Sequence, residues 1–101
     1  MQTCQLRPRD LAALRQVLAR SPGVREVFLF GSRATGEERR ASDVDLAIAA
    51  PGLGPREWAE LCERLECAPL IYELDLVRLD ALPEGALRER IRREGILIHR
   101  A

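Results

Sequence analysis

Residues 27–48 read VFLFGSRATGEERRASDVDLAI, and the fold follows from how that stretch divides. Val27-Phe28-Leu29-Phe30 is an apolar run that stops abruptly at Gly31-Ser32. A polar, charge-rich segment follows, and Asp43-Val44-Asp45 then opens a second apolar run. The pattern predicts a strand, a tight Gly-Ser turn, a short helix or loop, and a second strand. Alternate side chains of a strand share a face, so Asp43 and Asp45 point the same way with Cα atoms roughly 6.5 Å apart. Ala47 and Ala49 continue that face with small residues, while Val44, Leu46 and Ile48 fill the other. Two carboxylates held side by side repel each other and are best stabilised by a shared cation. Mg²⁺ suits them, because it takes oxygen ligands and completes its shell with waters and substrate phosphates. Gly31-Ser32 is the complementary half: glycine lets the backbone approach a ligand closely, and amides at a helix N-terminus attract phosphate oxygens. The stretch therefore suggests a site for a nucleoside triphosphate and its metals.

The rest of the chain supplies elements to pack around this unit. Leu11, Leu14, Val17 and Leu18 mark one face of a helix over 9–20, with Asp10 favouring its start and Ser21-Pro22-Gly23 ending it. Pro51-Gly52-Leu53-Gly54-Pro55 is a breaker, and Pro55 suits the first turn of a helix carrying Trp58, Leu61, Cys62 and Leu65 on one stripe. Residues 71–79 predict a third strand with Glu73, Asp75, Val77 and Leu79 on one face and Tyr72, Leu74, Leu76 and Arg78 on the other. Asp75 then sits mid-strand between apolar neighbours, where an unpaired carboxylate is costly, so a cation is expected beside it. Glu73 shares its face. Asp80 reads as a cap or turn residue at the strand's end. A last helix is expected from Pro83-Glu84 to Glu94, with Leu87 and Ile91 inward and Arg88, Arg90, Arg92 and Arg93 outward. Gly95 ends it, and Ile96-Leu97-Ile98 follows as a short edge strand or docking tail.

The totals narrow the function class. A chain of 101 residues suits one domain, 1–101, and a formal net charge of +0 argues against a globally basic nucleic-acid binder. All 16 basic residues are arginine, so a Walker-type phosphate loop, which needs lysine, is excluded. Cys4, Cys62 and Cys67 are odd in number and form no CxxC pair, which favours a reducing, cytoplasmic setting over a disulfide framework. Cys62 is expected in the core. No apolar stretch is long enough to span a membrane.

The pattern Gly31-Ser32-x10-Asp43-x-Asp45 resembles the signature of the DNA polymerase beta-like nucleotidyltransferase superfamily. Its brevity makes the chain similar to the minimal nucleotidyltransferases, often the antitoxin half of a pair with a HEPN-domain toxin. The resemblance runs from about Arg9 to Leu97, and Asp75 matches the third carboxylate that the family carries on a later strand. It implies an α/β (α+β) nucleotidyltransferase fold, a small mixed sheet flanked by helices. Two Mg²⁺ ions would be held by Asp43, Asp45 and Asp75, the last also taking a proton from the acceptor hydroxyl. Gly31 and Ser32 would hold the β- and γ-phosphates, with Arg33, in the first turn beyond them, in reach of the triphosphate. The implied reaction moves AMP from ATP to a hydroxyl, of tyrosine, on a HEPN ribonuclease toxin. Two alternatives stand beside it: an idle site in an antitoxin that acts by binding alone, and a nucleotidyltransferase subunit acting on a small molecule. Because the chain stops at Ala101, without the helical domain of the larger antibiotic-modifying relatives, a second protein is the expected source of the hydroxyl.

Overall fold

The structure is a computed structural model and describes residues 6–31, 43–70 and 73–101, Asp43 by its backbone alone. The order is α1 (Pro8–Ala19), β1 (Glu26–Phe30), β2 (Asp43–Ala49), α2 (Pro55–Glu66), β3 (Glu73–Arg78), a 3₁₀ turn (Leu79–Ala81), α3 (Ala86–Glu94) and β4 (Ile96–Arg100). The strands form one sheet in the order β3-β2-β1-β4. Neighbours β1 and β2 are antiparallel, as are β1 and β4, whereas β2 and β3 run parallel. The parallel pair requires a crossover, and α2 supplies it. This is the mixed sheet with helices that the sequence implied, and Ile96–Arg100 is its edge strand.

Period-two alternation decides what each face of the sheet carries. Val27 and Leu29 of β1 and Val44, Leu46 and Ile48 of β2 are all 0% exposed and pack with Leu14 and Leu18 of α1 and Leu61 and Leu65 of α2. Burying one such side chain contributes about 1.5–3 kcal/mol, so this layer is the main source of stability. The opposite face is thinner. There Ile91 of α3 packs on Phe30 and Ala47, with Phe28, Val77, Leu79 and Leu82 around them. Ala47, fully buried, packs in the same cluster as Ile91. Beyond Ala47 and Val77 that face carries Asp45 and Asp75.

Several polar contacts lock the frame. Asp10, 1% exposed and in the first turn of α1, accepts Nε and Nη2 of Arg7 at 2.8 and 3.1 Å. Arg78 donates to the carbonyls of Ala50 and Leu53 at 2.8 and 2.6 Å, and its guanidinium lies 5.2 Å from the centre of the Trp58 ring. Asp80 accepts the Ala50 amide at 2.8 Å and Arg78 Nε at 3.0 Å, tying the ends of β2 and β3 together. Trp58 is thus half-buried against the core and spoken for.

Partial burial pushes the Asp80 carboxyl up, but the Ala50 amide and the Arg78 guanidinium outweigh it and leave its pKa below the ordinary value. A depressed folded-state pKa gives stability that is complete above the unfolded value, near 3.9, and is lost as pH falls through the folded one. Asp80→Ala removes the acceptor of the Ala50 amide and of Arg78 Nε and is expected to be less stable than wild type at pH 7 by about 1 kcal/mol, solvent at this exposed residue keeping the loss small. In urea melts the deficit should shrink below about pH 4, where wild type loses the same charge.

Three expectations need correcting here. The last helix begins at Ala86, not at Pro83-Glu84, because Arg88 Nη1 donates to the Leu82 carbonyl at 2.8 Å and the first helical bond runs from Glu89 N to Gly85 O. Leu87 is not inward: it is 42% exposed, since Ile91 alone of that stripe reaches the sheet. Cys62 is half-buried, not core, and burial together with the nearby Glu66 pushes its thiol pKa up. The outward arginines behave as expected, Arg90 pairing with Glu94 at 3.0 Å, Arg88 with Glu84 at 3.7 Å and Arg92 with Glu89. No helix among the described residues is long and apolar enough to cross a membrane.

Candidate active site

The C-terminal end of β1 and the N-terminal ends of β2 and β3 lie side by side at one margin of the sheet. Pairing sets the register: Phe30 faces Asp45 across the β1–β2 ladder, and Asp45 faces Asp75 across the β2–β3 ladder. Lateral partners in a sheet share a face, and neighbouring strands are about 4.8 Å apart. Asp45 and Asp75 are thereby brought together on the face that α3 leaves uncovered. One step further out Asp43 is in register with Glu73. The side chain of Asp43 lies outside the described residues, as do Ser32 and Arg33 in their entirety.

Gly31 closes the site from the β1 side. Its φ is +74°, a conformation that L side chains avoid, and it is buried. A Cβ built on it would stand 2.4 Å from Asp45 Oδ2, well inside contact distance. The sequence suggested glycine here so that the backbone could approach a ligand. The structure gives a second reason: the bare Cα leaves room for the Asp45 carboxylate. That relation spans 14 residues and depends on strand pairing, so no local signal could have revealed it.

Asp75 departs from its expectation. It is exposed, so desolvation supplies no argument for a cation beside it. Leu74 and Leu76, which made its surroundings look apolar, pack on the main core against the other face. What remains is the geometric argument. Two carboxylates in lateral register, Asp45 half-buried and Asp75 open, form an oxygen donor pair of the kind that suits a hard divalent cation. Among the described residues no three acidic, histidine or cysteine side chains converge on a metal-sized site. The donor set fits Mg²⁺ in chemistry, with its third expected member, Asp43, at a position described by backbone alone.

Comparison with known proteins places this arrangement. The model of the family described as polymerase beta, nucleotidyltransferase, matches residues 12–101. A solved structure assigned as a minimal nucleotidyltransferase is 36% identical, with a TM-score of 0.66 over 87% of this chain and 88% of the other. A toxin–antitoxin structure with AMP-PNP is 26% identical, with a TM-score of 0.71 over 90% of this chain and 73% of the other. A tri-AMPylated Shewanella oneidensis HEPN toxin in complex with MNT antitoxin gives 22% identity and a TM-score of 0.66 over 92% and 71% of the two chains, a likeness of fold. No curated protein matches the chain. With its sheet order, its glycine at the end of β1 and its paired aspartates, the chain belongs to the polymerase beta nucleotidyltransferase family, in the minimal nucleotidyltransferase group.

Proposed function

We propose that this protein transfers AMP from ATP to a hydroxyl, of tyrosine, on a HEPN-domain toxin and thereby acts as its antitoxin. The observation that carries the reading is the Asp45–Asp75 pair set against the bare Cα of Gly31. Support for the donor comes from the similar toxin–antitoxin structure solved with AMP-PNP. Support for the acceptor comes from the similarly folded complex that contains an AMPylated HEPN toxin.

In this mechanism the Gly31 and Ser32 amides and the Ser32 hydroxyl hold the β- and γ-phosphates, with Arg33 beside them. Asp43, Asp45 and Asp75 are the residues that would hold Mg²⁺, which when bound neutralises the charge that builds on the transferring phosphoryl group and on the leaving pyrophosphate. Asp75, the open carboxylate, takes the proton of the acceptor hydroxyl. The hydroxyl oxygen then bonds to the α-phosphorus as the bond to the β-phosphate oxygen breaks, releasing pyrophosphate and leaving the acceptor as an AMP ester. An ATP-dependent reaction of this kind belongs in the cytoplasm.

Intact-mass analysis of the adjacent gene product, incubated with this protein, ATP and Mg²⁺, tests the reading. A gain of one or more AMP units, absent with Asp43→Ala, is expected. No gain from a complex that still silences the partner would replace transfer with neutralisation by binding.

A further inference from the structure

On the face that carries α3, a hollow of about 190 Å³ opens beside that helix, toward the end of the sheet away from the aspartates. Phe28, Leu79 and Ile91 give it an apolar lining, and Glu26, Arg88 and Arg92 complete it. Ile91 separates it from the candidate site by packing on Phe30 and Ala47. Glu26 and Phe28 precede Phe30 on β1, whereas Asp45 is in register with Phe30 itself. Ligand pockets run to about 300–1,000 Å³, so this hollow is too small for a nucleotide and suits a single side chain. Such a side chain stands next to it. Leu97 of the edge strand β4 pairs with Phe28, and lateral partners share a face about 4.8 Å apart. Leu97 is 38% exposed, and among the described residues only Leu87 is another large apolar side chain so open.

We propose that this patch docks a second copy of the chain, each Leu97 entering the hollow of the other copy about a twofold axis. Knob and hole lie on one face, one strand apart, which is the self-complementary arrangement that a twofold interface needs. Charge points to the same occupant. Around the hollow Arg88 pairs with Glu84 at 3.7 Å, Arg92 with Glu89 and with Glu84 at 3.9 Å, and Arg100 with Glu26 at 3.1 Å. These arginines and glutamates balance, so two such rims do not repel. Each pair is exposed and weakly held, so an arginine can exchange its own glutamate for one on the other copy. A balanced rim offers a nucleic acid or a strongly acidic protein no net attraction. Asp45 and Asp75, beyond Ile91, stay open in the pair.

Sedimentation equilibrium of the full chain tests the pairing. Wild type is expected to pass from monomer to dimer at roughly 10–100 μM, the range of a small interface. Leu97→Asp brings a carboxylate to the apolar hollow, and Leu97→Thr keeps a strand-forming residue but shortens the knob. Both are expected to raise the dissociation constant about tenfold or more. Because Leu97 is exposed, both should keep the wild-type thermal midpoint at dilutions where wild type is monomeric. Amide exchange in residues 88–92 and 96–100 should slow with rising concentration in wild type and not in Leu97→Asp. A wild type that stays monomeric at every concentration overturns the proposal, as does a dimer that both variants leave intact. It also falls if the lone chain is monomeric and both variants lose binding to the adjacent gene product, since the patch then belongs to that partner.

Discussion

Asp45→Asn is expected to reduce AMP transfer by roughly a thousandfold or more while leaving the fold intact. The magnitude follows from charge. Cation-assisted stabilisation of a phosphoryl transition state is worth several kcal/mol, and each 1.4 kcal/mol is about tenfold in rate. Asparagine keeps the size of the side chain and so still fits beneath Gly31, where Oδ2 stands within 2.4 Å of the missing Cβ position. It removes the negative charge from the lateral pair with Asp75. Packing should hardly change, because the buried neighbours Val44 and Leu46 face the other side of the sheet. The check is single-turnover transfer to the toxin together with a thermal melt. A variant that keeps near-normal transfer would remove Asp45 from the chemistry, and one that fails to fold would recast it as a structural residue.

Much of this was legible in the linear sequence, and the limits have physical causes. The strands announce themselves because each is an apolar run broken by glycine, proline or charge, and Asp43-Val44-Asp45 marks its own strand start. Alternation correctly put Asp45 and Ala47 on one face and Val44, Leu46 and Ile48 on the other. Registers are not encoded locally, so the pairing of Phe30 with Asp45 and of Asp45 with Asp75 had to come from the fold. Exposure of Asp75 was misjudged for the same reason. Its chain neighbours belong to the opposite face, and the cluster that α3 forms on its own face through Ile91 takes in Phe30, Ala47 and Val77 but not Asp75. Leu87 was misplaced because period 3.6 identifies a stripe but not where the sheet beneath it ends. Ser32 and Arg33 lie outside the described residues and keep the status of the family's expectation.

Gly31→Ala should impair the protein in two separable ways, and a double-mutant cycle can divide them. Holding alanine at φ near +74° is unfavourable by about 1–2 kcal/mol whatever surrounds it. The second effect is the collision with Asp45 Oδ2. The atom struck is the tip of a side chain, which can rotate away, so the damage falls on the aim of the carboxylate more than on stability. Transfer is therefore expected to drop by about a hundredfold or more, as happens when a reacting group is displaced by about 1 Å, from a protein that still melts cooperatively. In an Asp45→Ala background the collision is gone. Gly31→Ala should there lower stability only by the backbone contribution, and the difference between the two backgrounds measures the contact between Gly31 and Asp45. Equal destabilisation in both would mean that Gly31 is glycine for its backbone alone. An activity loss in Gly31→Ala as large as that of Asp45→Asn would mean that the carboxylate is wholly turned out of the site, which makes Gly31 the residue that aims Asp45.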